Sequence, residues 1–192
     1  MKPILSNRSE CHMTERRFSK VAISLTCLMF LLLIGNASAQ GHPTVRWDIV
    51  AVSPTTVSAG GTATPTAEDG STITITGSGT FELKPGNGHV TGGGNWTTSS
   101  ASGTYTVTGV AHFETAPGTL TGLQDNIGNV NQTAAGNTVL TVDFSDGTQG
   151  VLTVTCGLTG TPPINSEGFS IIKGSVDYWK ISGVALFHIT PP

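Results

Sequence analysis

The chain has 192 residues, of which 37% are hydrophobic and 11% are charged, and its formal net charge is −3 at pH 7. After residue 39 it carries four basic side chains against ten acidic ones, a formal net charge of −6 for residues 40–192. Because this part of the sequence has no basic patch, we expect neither nucleic acid nor an anionic membrane surface as a partner.

The first 39 residues have the organisation of a secretory signal peptide. The pair Arg16-Arg17 and Lys20 precede an apolar run of 14 residues, Val21–Ile34, which is shorter than the roughly 20 residues of a membrane-spanning helix. The small residues Ala37-Ser38-Ala39 then supply the site that signal peptidase recognises. We therefore predict a Sec-type signal peptide over residues 1–39, cleavage after Ala39, and a secreted or periplasmic bacterial protein.

Residues 40–192 have a length that suits a single domain with a hydrophobic core of its own. We expect residues 40–70 to form a partly irregular lead-in and residues 71–189 to contain the core. No stretch of this domain has apolar residues at helical spacing, whereas Thr, Val and Ile alternate in short runs that Gly, Pro, Asn and Asp interrupt. This pattern is typical of many short antiparallel strands.

The first half of the domain predicts four short strands. The glycine-rich residues 85–94 are predicted to form a loop. Gly77-Ser78-Gly79 marks either a tight turn between two strands or a bulge in one long bent strand. The predicted strands are Val45–Val52, Thr72–Thr76, Thr80–Lys84 and a short strand that begins at Trp96.

A long strand is predicted over Gly103–Glu114, with a bend at Gly109. Successive side chains of a strand point to opposite faces, so its residues divide into two sets. The predicted core face consists of Tyr105, Val107, Ala111 and Phe113, and the opposite face consists of Thr104, Thr106, Thr108, Val110, His112 and Glu114.

The second half of the domain predicts a hairpin and two further strands. Val139–Phe144 and Val151–Cys156 alternate in polarity on either side of Ser145-Asp146-Gly147, whose Asp-Gly pair favours a tight turn. Gly168–Trp179 is predicted as one long strand, and Val184–Ile189 is the last strand.

About eight strands with one long irregular connection predict an all-β fold, an antiparallel β-barrel, with a two-sheet β-sandwich as the alternative. The barrel is favoured because Gly109 and Gly174 place bend points within the two longest predicted strands, and such bends suit barrel closure better than a flat sandwich. Cys156 is the only cysteine after residue 39, so an intramolecular disulfide cannot form there. Its position on an apolar face predicts a buried, inert thiol.

His112 and Glu114 are the candidate catalytic residues. They lie two apart in one predicted strand, so their side chains leave the same face. A histidine held by a carboxylate acts as a general base or as a metal ligand, and in a barrel with a polar interior His89 or His188 would complete the group. The alternative, which we favour, is an ordinary solvent-exposed face.

Residues 116–137 form the long irregular connection, and loops of this length usually carry a function or are disordered. Asp125, Asn129 and Asn131 provide oxygen atoms of the kind that bind calcium. Their spacing differs from that of the helix–loop–helix calcium site, and turns also favour Asn and Asp. We therefore expect no metal and no other cofactor.

Three aromatic residues, Trp96, Tyr178 and Trp179, are candidates for ligand binding. Tyr178 and Trp179 are adjacent, so a strand would direct them to opposite faces and leave one of them outward. An exposed aromatic ring on a β-sheet can stack on a sugar or hold a small apolar molecule. The alternative is that most of the aromatic residues belong to the core, which we favour.

Several short motifs resemble a group of secreted bacterial all-β proteins of unknown function. They are Gly79-Thr80-Phe81, Val90-Thr91-Gly92-Gly93-Gly94-Asn95-Trp96 and Gly103-Thr104-Tyr105, and the likeness spans roughly residues 71–189. The resemblance implies export and an all-β fold, and it implies no activity.

These observations favour a non-enzymatic secreted β-domain that binds a small molecule, a glycan or a surface partner. The alternatives are a barrel enzyme, isomerase-like or cyclase-like, that uses His112 and Glu114, and a purely structural extracellular module. The orientation of the 104–114 strand discriminates between them. A solvated His112 favours binding or structure, whereas His112 and Glu114 in an enclosed pocket favour catalysis.

Overall fold

The structure, a computed structural model, describes residues 41–84, 86, 88–162 and 167–192. The predicted signal peptide lies outside these residues. The described part contains no α-helix, and thus no helix long and apolar enough to cross a membrane. Its elements are strands β1 (Thr44–Val52), β2 (Thr56–Ala59), β3 (Thr74–Ile75), β4 (Ser78–Glu82), β5 (Val90–Thr97), β6 (Ser102–Ala116), β7 (Gln124–Asp125), β8 (Thr133–Phe144), β9 (Gln149–Cys156), β10 (Gly168–Lys173), β11 (Val176–Ser182) and β12 (Ala185–Thr190), with a 3-10 helix over Val130–Gln132.

Six strands close into an antiparallel ring. β1 pairs with β4, β4 with β5, β5 with β6 and β6 with β8. β12 then pairs with both β8 and β1, which returns the sheet to its starting strand. The predicted all-β fold with a closed antiparallel barrel is therefore confirmed, and the sandwich alternative is not observed.

Three further strands extend the wall beyond β8. β9, β10 and β11 follow β8 in that order, all antiparallel. Thr66 exchanges backbone hydrogen bonds with Lys180 of β11, and Ala63 does the same with Ile75 of β3. Residues 63–66 thereby connect the end of this extension to β3, which itself pairs with β5.

Alternating side chains of the strands fill the interior. In β1, Val45, Trp47 and Ile49 are all fully buried, while on β12 Phe187 is equally inaccessible. Each buried side chain of this size stabilises the fold by about 1.5–3 kcal/mol through removal of apolar surface from water.

Cys156 is also buried, and desolvation raises the pKa of its thiol to about 12, as an inert thiol requires.

The predicted hairpin is confirmed. β8 and β9 pair in continuous register, and Gly147 adopts a positive φ of 86° in the turn between them. Asp146 stabilises this turn because its carboxylate accepts hydrogen bonds from the backbone N–H and the hydroxyl of Thr148. Lys173 also donates to Asp146, and these hydrogen bonds lower the pKa of that carboxyl to about 2.

The prediction of one long strand over Gly168–Trp179 is wrong. Residues 168–182 form a second hairpin, in which Lys173 of β10 faces Val176 of β11 across a two-residue turn. Gly174 has φ = 58° in that turn. A glycine that can take this conformation without strain ends the strand here and does not bend it.

Candidate binding cleft between β5 and β6

A gap opens in the barrel wall where β5 and β6 part. The two strands pair over five residues only, Gly93–Thr97 against Ser102–Thr106. From Val107 onward β6 continues to pair with β8 along its other edge. Among the described residues, none pairs with the edge of β6 that faces β5 beyond this point.

Glycines in β5 cause the separation. Gly92 and Gly93 have φ values of 122° and 152°, which L side chains rarely adopt, and they lie where β5 leaves β6. A Cβ atom on Gly93 would lie 2.1 Å from the carbonyl oxygen of Tyr105. The predicted loop over residues 85–94 is therefore wrong for its second half, because these glycines bend a strand and allow close approach of its neighbour.

Two bulges turn β6 as it passes the gap. The register with β8 skips Thr108 and Ala111. Each extra residue moves the following side chains to the opposite face of the strand. Val110 and Phe113 consequently pack against the core, whereas Ala111 is exposed, so the predicted face for Ala111 and Val110 is wrong.

The cleft in the gap has a volume of about 450 Å³. Its apolar floor includes Phe81, Val90, Val110 and Phe113. Phe113 packs edge-to-face on Phe81, with ring centroids 5.2 Å apart, and on Phe187 at 5.7 Å. These rings fix the floor in place.

Polar side chains surround the cleft at its rim. Glu82, Lys84, Thr108 and His112 are among the lining residues, so both signs of charge are present. β3 and β4 pair with β5 in one unbroken register on either side of Gly77, so no turn separates them. The single-strand alternative for residues 77–79 is therefore the one observed, but without the predicted bulge, since no residue is skipped.

The candidate pair His112 and Glu114 lies at the surface. Their side chains are 56% and 75% exposed, and His112 Nε2 is 3.7 Å from Glu114 Oε2. His112 lines the cleft at its rim, while Glu114 does not. Neither His89 nor His188 lines the cleft, so the structure does not bring the three histidines together.

The aromatic candidates divide between core and surface. Trp96 and Tyr178 are buried, and the indole N–H of Trp96 donates to the carbonyl oxygen of Thr104. Trp179 is 51% exposed on the outer face of β11. Of the three, only Trp179 is accessible to a ligand in this conformation.

Two of the three candidate calcium residues use a side-chain oxygen in a local hydrogen bond. Asn129 Oδ1 accepts from the backbone N–H of Asn131. Asp125 Oδ1 accepts from the backbone N–H groups of Ile127 and Gly128. Within residues 41–84, 86, 88–162 and 167–192, no three His, Cys, Asp or Glu side chains converge as a metal site requires.

Asp125 instead forms a buried pair with His188 that the sequence did not reveal. Asp125 Oδ2 is 2.7 Å from His188 Nε2, and the two side chains are 2% and 4% exposed. Burial favours a higher pKa for Asp125, but its hydrogen bonds to His188 and to two backbone N–H groups outweigh burial and lower it. On β1, Arg46 is paired with His188 in the β1–β12 register. Its guanidinium donates two hydrogen bonds to the buried carboxylate of Asp48, one to each oxygen.

Comparisons with known proteins leave this chain without an assigned relative. No family model, no curated protein and no solved structure matches it. The cleft and the buried pair must therefore be interpreted from their own geometry.

Proposed function

We propose that this protein is an exported, non-enzymatic β-barrel that binds a small, mainly apolar molecule in the cleft between β5 and β6. The observation that carries the proposal is the cleft itself, about 450 Å³ with an apolar aromatic floor in a gap of the barrel wall. Small-molecule sites in proteins are concave, mostly apolar and of about this size, roughly 300–1,000 Å³.

The physical basis for binding is twofold. Contact with Val90, Val110 and Phe113, which are only partly buried, removes apolar ligand surface from water, which contributes about 25 cal/mol for each Å². The edge of β6 in the gap offers backbone N–H and C=O groups that a polar atom of the ligand can satisfy. A molecule with an apolar body and one or two polar groups fits both features.

The exposure of His112 and Glu114 favours binding over catalysis. A general base works best in a site that excludes water and holds the substrate, and both side chains are more than half exposed. No buried partner orients His112 toward the cleft among its described contacts. The enzymatic alternative therefore has less support than binding.

A titration with a fluorescent apolar probe tests the proposal. We expect N-phenyl-1-naphthylamine to bind the purified, exported protein saturably, with an increase in fluorescence. Val110→Trp should abolish this binding because an indole at position 110 fills the cleft floor. Thr106→Trp, on the exposed face of the same strand, is the matched control and should leave binding unchanged. Equal binding by both variants would exclude the cleft.

Export is proposed on the sequence of residues 1–39 alone. An exported protein would bind its small apolar ligand outside the cytoplasm. The intact mass of the exported protein tests this step, and we expect the mass of the chain from Gln40 to Pro192. A mass that includes residues 1–39 would contradict cleavage after Ala39, while leaving the cleft proposal to its own test.

A further inference from the structure

The connection between β6 and β8, residues 117–132, lies against the outside of the barrel and is called the strap below. Its first part is anchored where the backbone N–H of Thr119 donates to the carbonyl oxygen of Thr159. Its middle is anchored to β2, because Gln124 and Asn126 donate to the carbonyl oxygens of Thr55 and Val57. The strap therefore bridges two separate points of the barrel surface.

A groove of about 270 Å³ lies between these anchors. It shares no lining residue with the cleft between β5 and β6. Nearby apolar side chains remain in contact with water, since Val52 is 50% exposed and Val184 is 37% exposed. Its partly exposed apolar lining also includes Leu120, Leu123 and Leu158.

The polar groups of the groove offer few free hydrogen-bonding positions to a polar ligand. The hydroxyls of Thr121 and Thr159 bond to each other at 2.8 Å, and the backbone of Thr119 bonds to that of Thr159. Glu167 is the one charged residue among the described lining residues. The lining therefore disfavours an anionic group and offers mainly apolar contact.

We propose that this groove is a second binding site, for a small uncharged apolar molecule such as a short-chain alcohol. Its volume of about 270 Å³ is smaller than the roughly 300–1,000 Å³ of sites for larger ligands, so the groove can hold only a short aliphatic chain. Binding would cover the apolar surface that the groove leaves in water. This inference does not rest on the cleft.

The Asp125–His188 pair positions one wall of this groove. Asp125 follows Leu123 by two residues, and its carboxylate holds the strap to β12 through His188. Gly128 lies so close to the imidazole that a Cβ atom there would approach His188 Cδ2 within 2.8 Å. Asp125 and His188 are therefore positioning residues, which act on the ligand through the strap.

Titration with 1-hexanol followed by methyl NMR of the exported protein tests the site. We expect saturable shifts of the methyl signals of Leu120, Leu123 and Leu158, and hexanoate should bind about tenfold more weakly because its charge lacks a partner. Non-saturable shifts, or equal binding of hexanoate, would overturn the proposal.

Reciprocal variants separate the two sites. Leu123→Trp should abolish the hexanol shifts and leave naphthylamine binding in the cleft unchanged, whereas Val110→Trp should do the reverse. If either variant lost both hexanol binding and naphthylamine binding, the two sites would not be independent. Asp125→Asn should weaken hexanol binding about threefold or more, because the strap would be held less firmly against β12. An unchanged affinity for hexanol would contradict the role of Asp125 as a positioning residue.

Discussion

The β8–β9 hairpin and the β5–β6 pair belong to the same wall, yet they differ in how far they stay paired. β8 and β9 match residue for residue over Gly136–Asp143 and Gln149–Cys156. β5 and β6 part after five pairs, although β6 continues for ten more residues. The first pair forms a continuous part of the core, while the second leaves room for a cleft.

The difference arises from local backbone chemistry. Leu140, Val142 and Phe144 alternate without interruption along β8, so every second side chain is buried. β5 contains glycines at positive φ, and β6 contains two bulges. Regular alternation builds a closed core, whereas bends and bulges open a site without loss of the surrounding barrel.

Gly93→Ala should have the largest effect on this comparison. The added Cβ would meet the carbonyl oxygen of Tyr105 at 2.1 Å, and the backbone there has a φ of 152°. We expect a loss of about 4 kcal/mol in the free energy of unfolding, measured by urea denaturation. Gly70→Ala is the control, since Gly70 also has a positive φ but has open space around it, and it should cost about 1 kcal/mol. Similar losses in both variants would contradict close approach at Gly93.

Phe113→Ala should have the next largest effect, because Phe113 packs between Phe81 and Phe187. We expect about 2–3 kcal/mol less stability, somewhat below a fully buried phenylalanine, and the same method measures it. The adjacent His112→Ala should change stability by less than about 0.5 kcal/mol, since its side chain is exposed. If the two variants behaved alike, the assignment of faces after the bulges would be wrong.

Asp125→Asn should have the smallest effect, and that effect should depend on pH. The folded protein favours the ionised form of Asp125, and its pKa is therefore lower there than in the unfolded chain, where it is about 3.9. The resulting stabilisation is fully present above the unfolded pKa and is lost as the pH falls through the folded pKa. We expect wild type to exceed the variant by about 1 kcal/mol at pH 6. This advantage should shrink once the pH falls below the folded pKa of Asp125, as urea unfolding at pH 6 and at about pH 2 would show.

The control for the acid experiment is Asp177→Asn, an exposed carboxylate on β11. Its effect should stay within about 0.5 kcal/mol at both pH values. A constant difference between wild type and Asp125→Asn across this pH range would contradict the role of the ionised Asp125 in holding the strap.

Sequence patterns predicted the regular part of the fold. The β8–β9 hairpin follows from alternating apolar residues around an Asp-Gly turn, which local chemistry alone determines. The opposite faces of Tyr178 and Trp179 follow from strand geometry in the same way. Barrel closure was inferred in part from Gly174, which lies in a turn, so that step of the argument was wrong although the barrel is present.

The candidate sites were harder to predict because they depend on non-local geometry. Gly92 and Gly93 have the composition of a loop, and only a neighbouring strand makes them part of a bent one. The bulges of β6 leave no mark in composition, so strict alternation placed Val110 and Ala111 on the wrong faces, although it placed Phe113 correctly. Asp125 and His188 are 63 residues apart, and no local pattern connects them.

Native mass spectrometry of the exported protein tests the central claim, the cleft as a ligand site, most directly. With N-phenyl-1-naphthylamine added, the account predicts a one-to-one adduct on wild type and on Thr106→Trp, and none on Val110→Trp. An adduct of equal abundance on all three proteins, or on none of them, would contradict binding in the gap between β5 and β6.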